Sequence, residues 1–359
     1  MSIVVFNSIK SAKRLIKENP GLDSSMFQSY PVLRAVEKCT RRREFLSFMK
    51  HPMRTVVRRM RGRMRFLVLA VYDENGALIL IAPLFIDENG DCQVVGRSQY
   101  LDYQDFLYVS GNMGQLKHAM RCVCDWLRER EVVSIRFGAL DENSRTNSLI
   151  AKMPLLDVTE AHSVNVFFGM GYIGYWNNLG KHAKQNLRTA YNRLDRDGHA
   201  VELKFFSCYE IGETLESKDF ETVFRDCLRI YCDRQLSRYK KRGGKMFELE
   251  MRHMNRTVLS VRSPVGFLSA LYVDQSIAGF MCGYVNIGKK RLEVPRLAIN
   301  EVYRWYSPGL VLINETVKLL SSSTDEIVAI DLCRGEEKYK YDMGGKSYLT
   351  RDFKLVVNQ

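Results

Sequence analysis

Three apolar runs, FLVLAVY (66–72), ALILIAPLFI (77–86) and CQVVG (92–96), are separated by two copies of one tetrapeptide, Asp-Glu-Asn-Gly at 73–76 and 87–90. Asn-Gly between apolar runs supplies the positive-φ residues of a tight hairpin turn, so the three runs read as an antiparallel meander. A strand over 103–109, a helix over 114–130 with Leu116, Met120, Val123 and Leu127 on one face, and a strand over 132–137 follow. The second half repeats that order. Runs 266–273, 276–287 and 291–299 form another meander, and Ser307-Pro308-Gly309 opens a helix whose Leu310, Ile313, Val317 and Leu320 share one stripe. A strand over 326–331 ends at Asp331. Between the halves lie a basic helix over 180–197 and a helical region over 218–258. The expectation is an α+β fold built as two similar units in tandem, each a mixed, mostly antiparallel sheet flanked by helices. The domains are expected at 1–165 and 166–359.

At 359 residues with 46% hydrophobic side chains, the chain has material for two cores. It has no run of eighteen apolar residues, and its N-terminus lacks the basic-then-apolar order of a signal peptide, so a cytoplasmic location is expected. Nine scattered cysteines, none in a CxxC pair, read as free thiols of a reducing compartment. Six histidines without HxxxH or HExxH spacing give no expectation of a metal.

Net charge is +13, and residues 41–65 carry ten Lys/Arg against the single acid Glu44. Such a block, from Arg41 to Arg65, either attracts an anionic partner (tRNA or another nucleic acid, anionic lipid, a phosphorylated substrate) or is a solvated face. Neither a P-loop nor a G-x-S-x-G elbow nor a dinucleotide fingerprint is present.

Five segments carry a family resemblance: DYQDFL (102–107), KHAKQNLRTAYNRL (181–194), LYVDQSIAGFMCGY (271–284), SPGLVLI (307–313) and IDLCRGEEKYK (330–340). With the order of elements, they make the chain similar to the GNAT superfamily of acyltransferases. More narrowly it resembles the tandem-GNAT, BioF2-like or CelD-like acetyltransferases, related in architecture to the Fem aminoacyl transferases. The resemblance implies two GNAT-like units, the second carrying an acyl-donor site for acetyl-CoA or another acyl-CoA. It places the donor between splayed strands 291–299 and 326–331. Its pyrophosphate then meets Arg304, Ser307, Pro308, Gly309 and Leu310, where a helix N-terminus favours an anion. The usual glycine-rich loop is absent there, which leaves aminoacyl-tRNA, the donor of Fem-type enzymes, as the alternative.

Acyl transfer to an amine needs a base, oxyanion donors and an acid for the leaving group. The resemblance assigns catalytic roles to Asp331, Tyr339 and Lys340: Tyr339 protonates the departing thiolate, and Lys340 binds phosphate or polarises a carbonyl. Asp331 reads equally as a helix cap, Tyr339 as a packing residue and Lys340 as a surface residue. Tyr103, Gln104, Asp105, Glu293 and Arg296 are the candidate lining of the acceptor side, for a small or sugar-containing molecule. The other class of reading is a non-catalytic protein that binds anions or nucleic acid on the same scaffold.

Overall fold

The computed structural model describes residues 1–22, 24–50, 65–87, 90–95, 102–150, 153–209, 211–239 and 261–357, with side chains left out at 42–50 and 238–239. It divides into two compact units: 1–161 together with 349–359, and 162–348.

The first unit contains β1 (Ser2–Phe6), α1 (Lys13–Glu18), α2 (Tyr30–Lys50), β2 (Arg65–Tyr72), β3 (Leu78–Ile86), β4 (Cys92–Val94), β5 (Leu107–Tyr108), α3 (Met113–Arg128), β6 (Ser134–Asp141), α4 (Arg145–Ile150) and the start of β7 (Leu155–Phe167). β1, β2, β3 and β4 pair antiparallel in sequence order. At the first tetrapeptide turn, the Asp73 carboxylate accepts the amides of Asn75 and Ala77, at 2.9 and 2.8 Å. β6 then joins β4 in parallel, and residues 350–356 close the sheet antiparallel on β6. α3 starts from an Asn112 cap whose side chain accepts the Gly114 and Gln115 amides. Leu116, Met120, Val123 and Leu127 are buried against β2 and β3, as their spacing predicts.

The second unit holds the end of β7, then α5 (Gly171–Asn178), α6 (Lys181–Arg196), β8 (Val201–Ser207), β9 (Glu213–Thr214), α7 (Lys218–Tyr239), β10 (Gly266–Val273), β11 (Ser276–Asn286), β12 (Arg291–Ile299), a 3-10 segment (Glu301–Tyr306), α8 (Pro308–Ser323), β13 (Ala329–Arg334), α9 (Lys338–Asp342) and the start of β14 (Gly345–Val356). Its sheet repeats the plan of the first. β8, β10, β11 and β12 pair antiparallel in that order, β13 joins β12 in parallel, and residues 163–167 of β7 lie antiparallel on β13. The expected α+β class and the pair of mostly antiparallel, helix-flanked units are what the molecule has.

Both faces of the second sheet are covered. One buries Phe267, Leu271, Met281, Leu292 and Val294 beneath α5, α6 and α8, with Leu187, Leu194, Ile313 and Val317 as helix contributions. The other buries Phe206, Leu268, Phe280, Cys282 and Ala298 beneath Phe220, Phe224, Cys227 and Tyr231 of α7. Each buried Leu, Ile, Val, Phe or Met among them contributes about 1.5–3 kcal/mol, so α8 is held by its apolar stripe. Its polar ties include Thr316, which meets Ser269 at 2.8 Å, and Asn314, which donates to the Tyr191 hydroxyl at 2.8 Å.

Three sequence expectations shift. The strand over 103–109 shrinks to β5 plus a bridge from Gln104 to Gly138, because Tyr103 adopts φ 54° and the Asp105 carboxylate takes the neighbouring Phe106 amide. The strand over 326–331 lies instead at 329–334, since β13 finds partners on both sides. Asp331 is therefore within a strand and caps no helix. The helix expected over 218–258 reaches Tyr239, and its remainder lies outside the described residues, as does most of the basic block 41–65.

Candidate functional site

β12 and β13 pair for only three rungs, Arg291 with Ala329, Leu292 with Ile330 and Glu293 with Asp331. β12 then stays on β11 as far as Ile299, and β13 stays on β7 as far as Arg334, so the two strands part. A bulge sets the parting point. Between the pairs Tyr284–Glu293 and Cys282–Arg296, Val294 and Pro295 together oppose the single Gly283, so β12 carries one extra residue. Pro295 offers no N–H to a ladder. The bulge also presses on β11: a Cβ at Gly283 would lie 1.9 Å from the Glu293 carbonyl oxygen, so only glycine fits.

Below the fork the chemistry is closed. Arg291 is 3.0 Å from Glu293 and 3.1 Å from Asp331, and all three are buried. Asn286 donates to Glu293 at 3.0 Å, and Asp331 accepts the Tyr348 hydroxyl at 2.8 Å and the Cys333 amide at 2.9 Å. Burial raises the Asp331 carboxyl above its ordinary range, with Arg291 pulling it back and Glu293 pushing it up. This carboxylate is fully engaged inside the sheet. The catalytic role expected for Asp331 and the lining role expected for Glu293 give way to a structural one.

Lys340 is corrected in the same way. The residue is 2% exposed, and its ammonium donates to the carbonyls of Cys333, Arg334 and Gly335 at 3.2, 2.8 and 3.1 Å, with Glu337 at 3.0 Å. Three donors meet four acceptors, so none remains for a phosphate. The ammonium ties down the turn after β13, where Cys333 takes φ 55° and Gly335 φ 110°.

Tyr339, one residue earlier on α9, is half-buried, and its hydroxyl makes no hydrogen bond among the described residues. Its phenol lies above the ordinary range through burial and the charge of Glu337, opposed by Arg234. Arg234, on α7, donates to the Leu297 carbonyl at 3.4 Å, on the edge of β12 that β13 has left. Arg296, half-buried, lies on the same stretch of β12 and points to the α7 side, since its register partner Cys282 and its neighbour Ala298 belong to that face. Tyr339, Arg234 and Arg296 thus border the fork.

On the α8 side, Asn300 caps the 3-10 segment by accepting the Val302 amide at 3.1 Å. Ser307 takes φ 49° to turn into α8, and Pro308 fills the first helical position. Leu310 and Val311 both return their amides to the Ser307 carbonyl, at 3.0 and 3.3 Å. Fewer N–H groups therefore face outward than a glycine-rich loop would offer. Arg304 is 80% exposed and only 3.8 Å from Glu301, so its guanidinium can swing to an anion. Arg193 of α6 stacks 3.6 Å over Trp305 and donates to its carbonyl at 2.8 Å, which fixes the segment. Arg304, Ser307 and Gly309 can receive one phosphate group by side chain and helix end, while Pro308 contributes only its shape and the Leu310 amide is already spent on Ser307.

In the first unit, Tyr103 and Gln104 are 4% and 1% exposed. The Tyr103 carbonyl accepts from the Gln28 amide, Phe27 packs edge-on to its ring, and Asp105 accepts from Thr146. Their side chains are built into that unit's core and structure, against the expectation of an open lining. Arg234 was missed in the sequence. The legible signal was its neighbour Gln235, a buried amide on the stripe that Cys227 and Tyr231 define.

Residues 181–341 match the family model described as acetyltransferase (GNAT) domain. Over that stretch the second unit is therefore similar to a GNAT domain, and it holds the forked parallel strand pair and the following helix described above. A conserved protein of unknown function from Bacteroides thetaiotaomicron shares the fold of the whole chain, with 13% identity, a TM-score of 0.59 and coverage of 99% of this chain and 100% of that one. FemX is similar at 10% identity and TM-score 0.46, covering 100% and 98%. A tandem GNAT protein from the clavulanic acid biosynthesis pathway is similar at 8% identity and TM-score 0.40, covering 83% and 84%. No curated protein matches the sequence.

Proposed function

We propose that this protein is an acyltransferase that moves an acyl group from acyl-CoA to an amine or hydroxyl of a small acceptor, and that the second unit, 162–348, holds the donor. The observation that carries this reading is the three-rung ladder between β12 and β13, which opens beyond Glu293 and Asp331 into a fork bordered by Tyr339. The donor's phosphates lie against Arg304 and the start of α8, and its pantetheine arm runs along the vacated edge of β12, whose backbone groups can pair with its amides.

The acceptor nitrogen attacks the thioester carbonyl carbon, and the carbonyl electron pair moves onto oxygen. The oxygen electron pair then re-forms the carbonyl as the C–S bond breaks. The Tyr339 hydroxyl gives its proton to the departing sulfur, and water takes the proton lost by nitrogen and returns one to Tyr339. With its phenol held above the ordinary range, Tyr339 stays protonated at neutral pH, as an acid must.

A second reading keeps the fork but replaces the donor with aminoacyl-tRNA. The amides that Leu310 and Val311 turn inward favour it, because they leave a weak pyrophosphate cradle, and the basic block at 41–65 would suit a polyanion. Calorimetric titration with acetyl-CoA separates the two. Saturable heat supports acyl-CoA, whereas silence with acetyl-CoA and salt-sensitive binding of charged tRNA supports the second donor. The whole-protein reading as a soluble cytoplasmic enzyme is part of the same proposal; no helix among the described residues is long and apolar enough to cross a membrane.

A further inference from the structure

Among the described residues, two half-buried guanidiniums on the α7 side of the fork have no counter-charge. Arg234 has one polar partner among the described residues, the Leu297 carbonyl, and Arg296 has one, the carbonyl of its neighbour Pro295 at 2.5 Å. Among the described residues the buried Arg296 Nε has no acceptor, and the buried Oε1 of Gln235, whose residue is 5% exposed, has no donor. Elsewhere in this unit cations near the sheet are neutralised: Arg291 by Glu293 and Asp331, and Lys340 by Glu337. Glu337, whose charge reaches Tyr339, is already held by Lys340. A guanidinium partly withdrawn from water without an anion costs a fold stability.

Their position says which ligand needs them. α8, whose start faces the donor's phosphates in the reading above, packs on one face of the sheet, and α7 packs on the other. A donor threading the fork from the α8 side presents its acyl end to the α7 side. The acceptor must approach that end.

We infer that Arg234 and Arg296 form an anion-recognition pair for the acceptor, and that the acceptor is a carboxylate-bearing amine such as an amino acid or a peptide end. Planar guanidiniums match a carboxylate through paired N–H donors, and the buried Oε1 of Gln235 is an acceptor for an N–H of the same molecule. The inference rests on the acyltransferase reading for the word acceptor, and on the geometry alone for the anion.

The test uses the full chain, its Arg234→Gln, Arg296→Gln and double variants, and Arg234→Lys. Melting temperature is measured in sodium succinate, sodium phosphate and sodium chloride at matched ionic strength, and acetyl-CoA binding is titrated in parallel. Succinate at several times its Kd raises the wild-type Tm by about 3 °C beyond chloride. The double variant loses that increment while its Tm in chloride equals or exceeds the wild type, and Arg234→Lys keeps part of it. Equal succinate and chloride responses in the wild type overturn the site. So does a double variant that melts lower in chloride and still responds to succinate. A larger response to phosphate overturns the carboxylate and assigns a phosphorylated acceptor. Acetyl-CoA heat that is absent from wild type and variants alike removes the donor reading without touching these outcomes.

Discussion

Glu293 and Asp331 are register partners in the last rung before β12 and β13 separate, and one guanidinium, Arg291, lies 3.0 Å from the first and 3.1 Å from the second. Two buried carboxylates on adjacent strands repel, so the rung exists because Arg291 bridges it. The fork above it starts from a fixed point. The arginine that anchors the fork is thus distinct from the two that border it.

Replacing Arg291 by Met leaves both carboxylates buried without their cation. The expected cost is about 3–5 kcal/mol in denaturant unfolding, and a smaller one for Asp331→Asn, which keeps the shape and one of the two acceptor oxygens. Equal losses in the two variants would contradict the anchoring role.

The same pair has a pH signature. The folded Asp331 carboxyl is raised above its unfolded range of about 3.9. The native state therefore holds a proton that the unfolded chain releases first. That stabilisation is complete below the unfolded value and is lost as pH rises through the folded one. Asp331→Asn has no such titration, so its stability relative to the wild type improves as pH rises through that window. Unfolding midpoints across acidic pH read this directly, and a difference independent of pH would contradict it.

Tyr339→Phe removes the proposed acid but little volume. The expectation is a kcat lower by about 10²-fold with the acetyl-CoA affinity within about twofold of the wild type. Because burial and Glu337 hold the phenol above its ordinary range, any fall in wild-type rate below about pH 10 belongs to another group. A Phe variant with unchanged kcat would return Tyr339 to packing.

Lys340→Met separates structure from phosphate binding. With its ammonium spent on three carbonyls and Glu337, the variant is expected to lose about 2–4 kcal/mol of stability, while acetyl-CoA binding by the folded fraction persists. Loss of affinity without loss of stability would contradict this placement.

The repeat of meander, helix and parallel strand was legible because turn chemistry and apolar period act locally. Asn-Gly at 75–76, Pro308 at the start of α8 and the stripe from Ile313 to Leu320 each state their structure within a few residues. The site was less legible, since its pieces meet only through tertiary pairing. Asp331 looked like a strand end because its partner Arg291 lies forty residues away, and Lys340 looked exposed because its acceptors are backbone carbonyls, which sequence does not mark. Tyr103 and Gln104 looked like edge polars, although Phe27 and Gln28 from another element enclose them. Arg234 carried no motif. Its role arises from the carbonyl that the fork leaves free on Leu297.

The central claim is that the fork between β12 and β13 receives an acyl-CoA, and calorimetric titration of the folded protein with acetyl-CoA tests it most directly. The account predicts one-site, saturable heat with micromolar affinity, abolished by Gly283→Val, whose side chain would collide with the Glu293 carbonyl and displace the bulge that opens the fork. No heat from wild-type protein shown to be folded by a cooperative melt would contradict it.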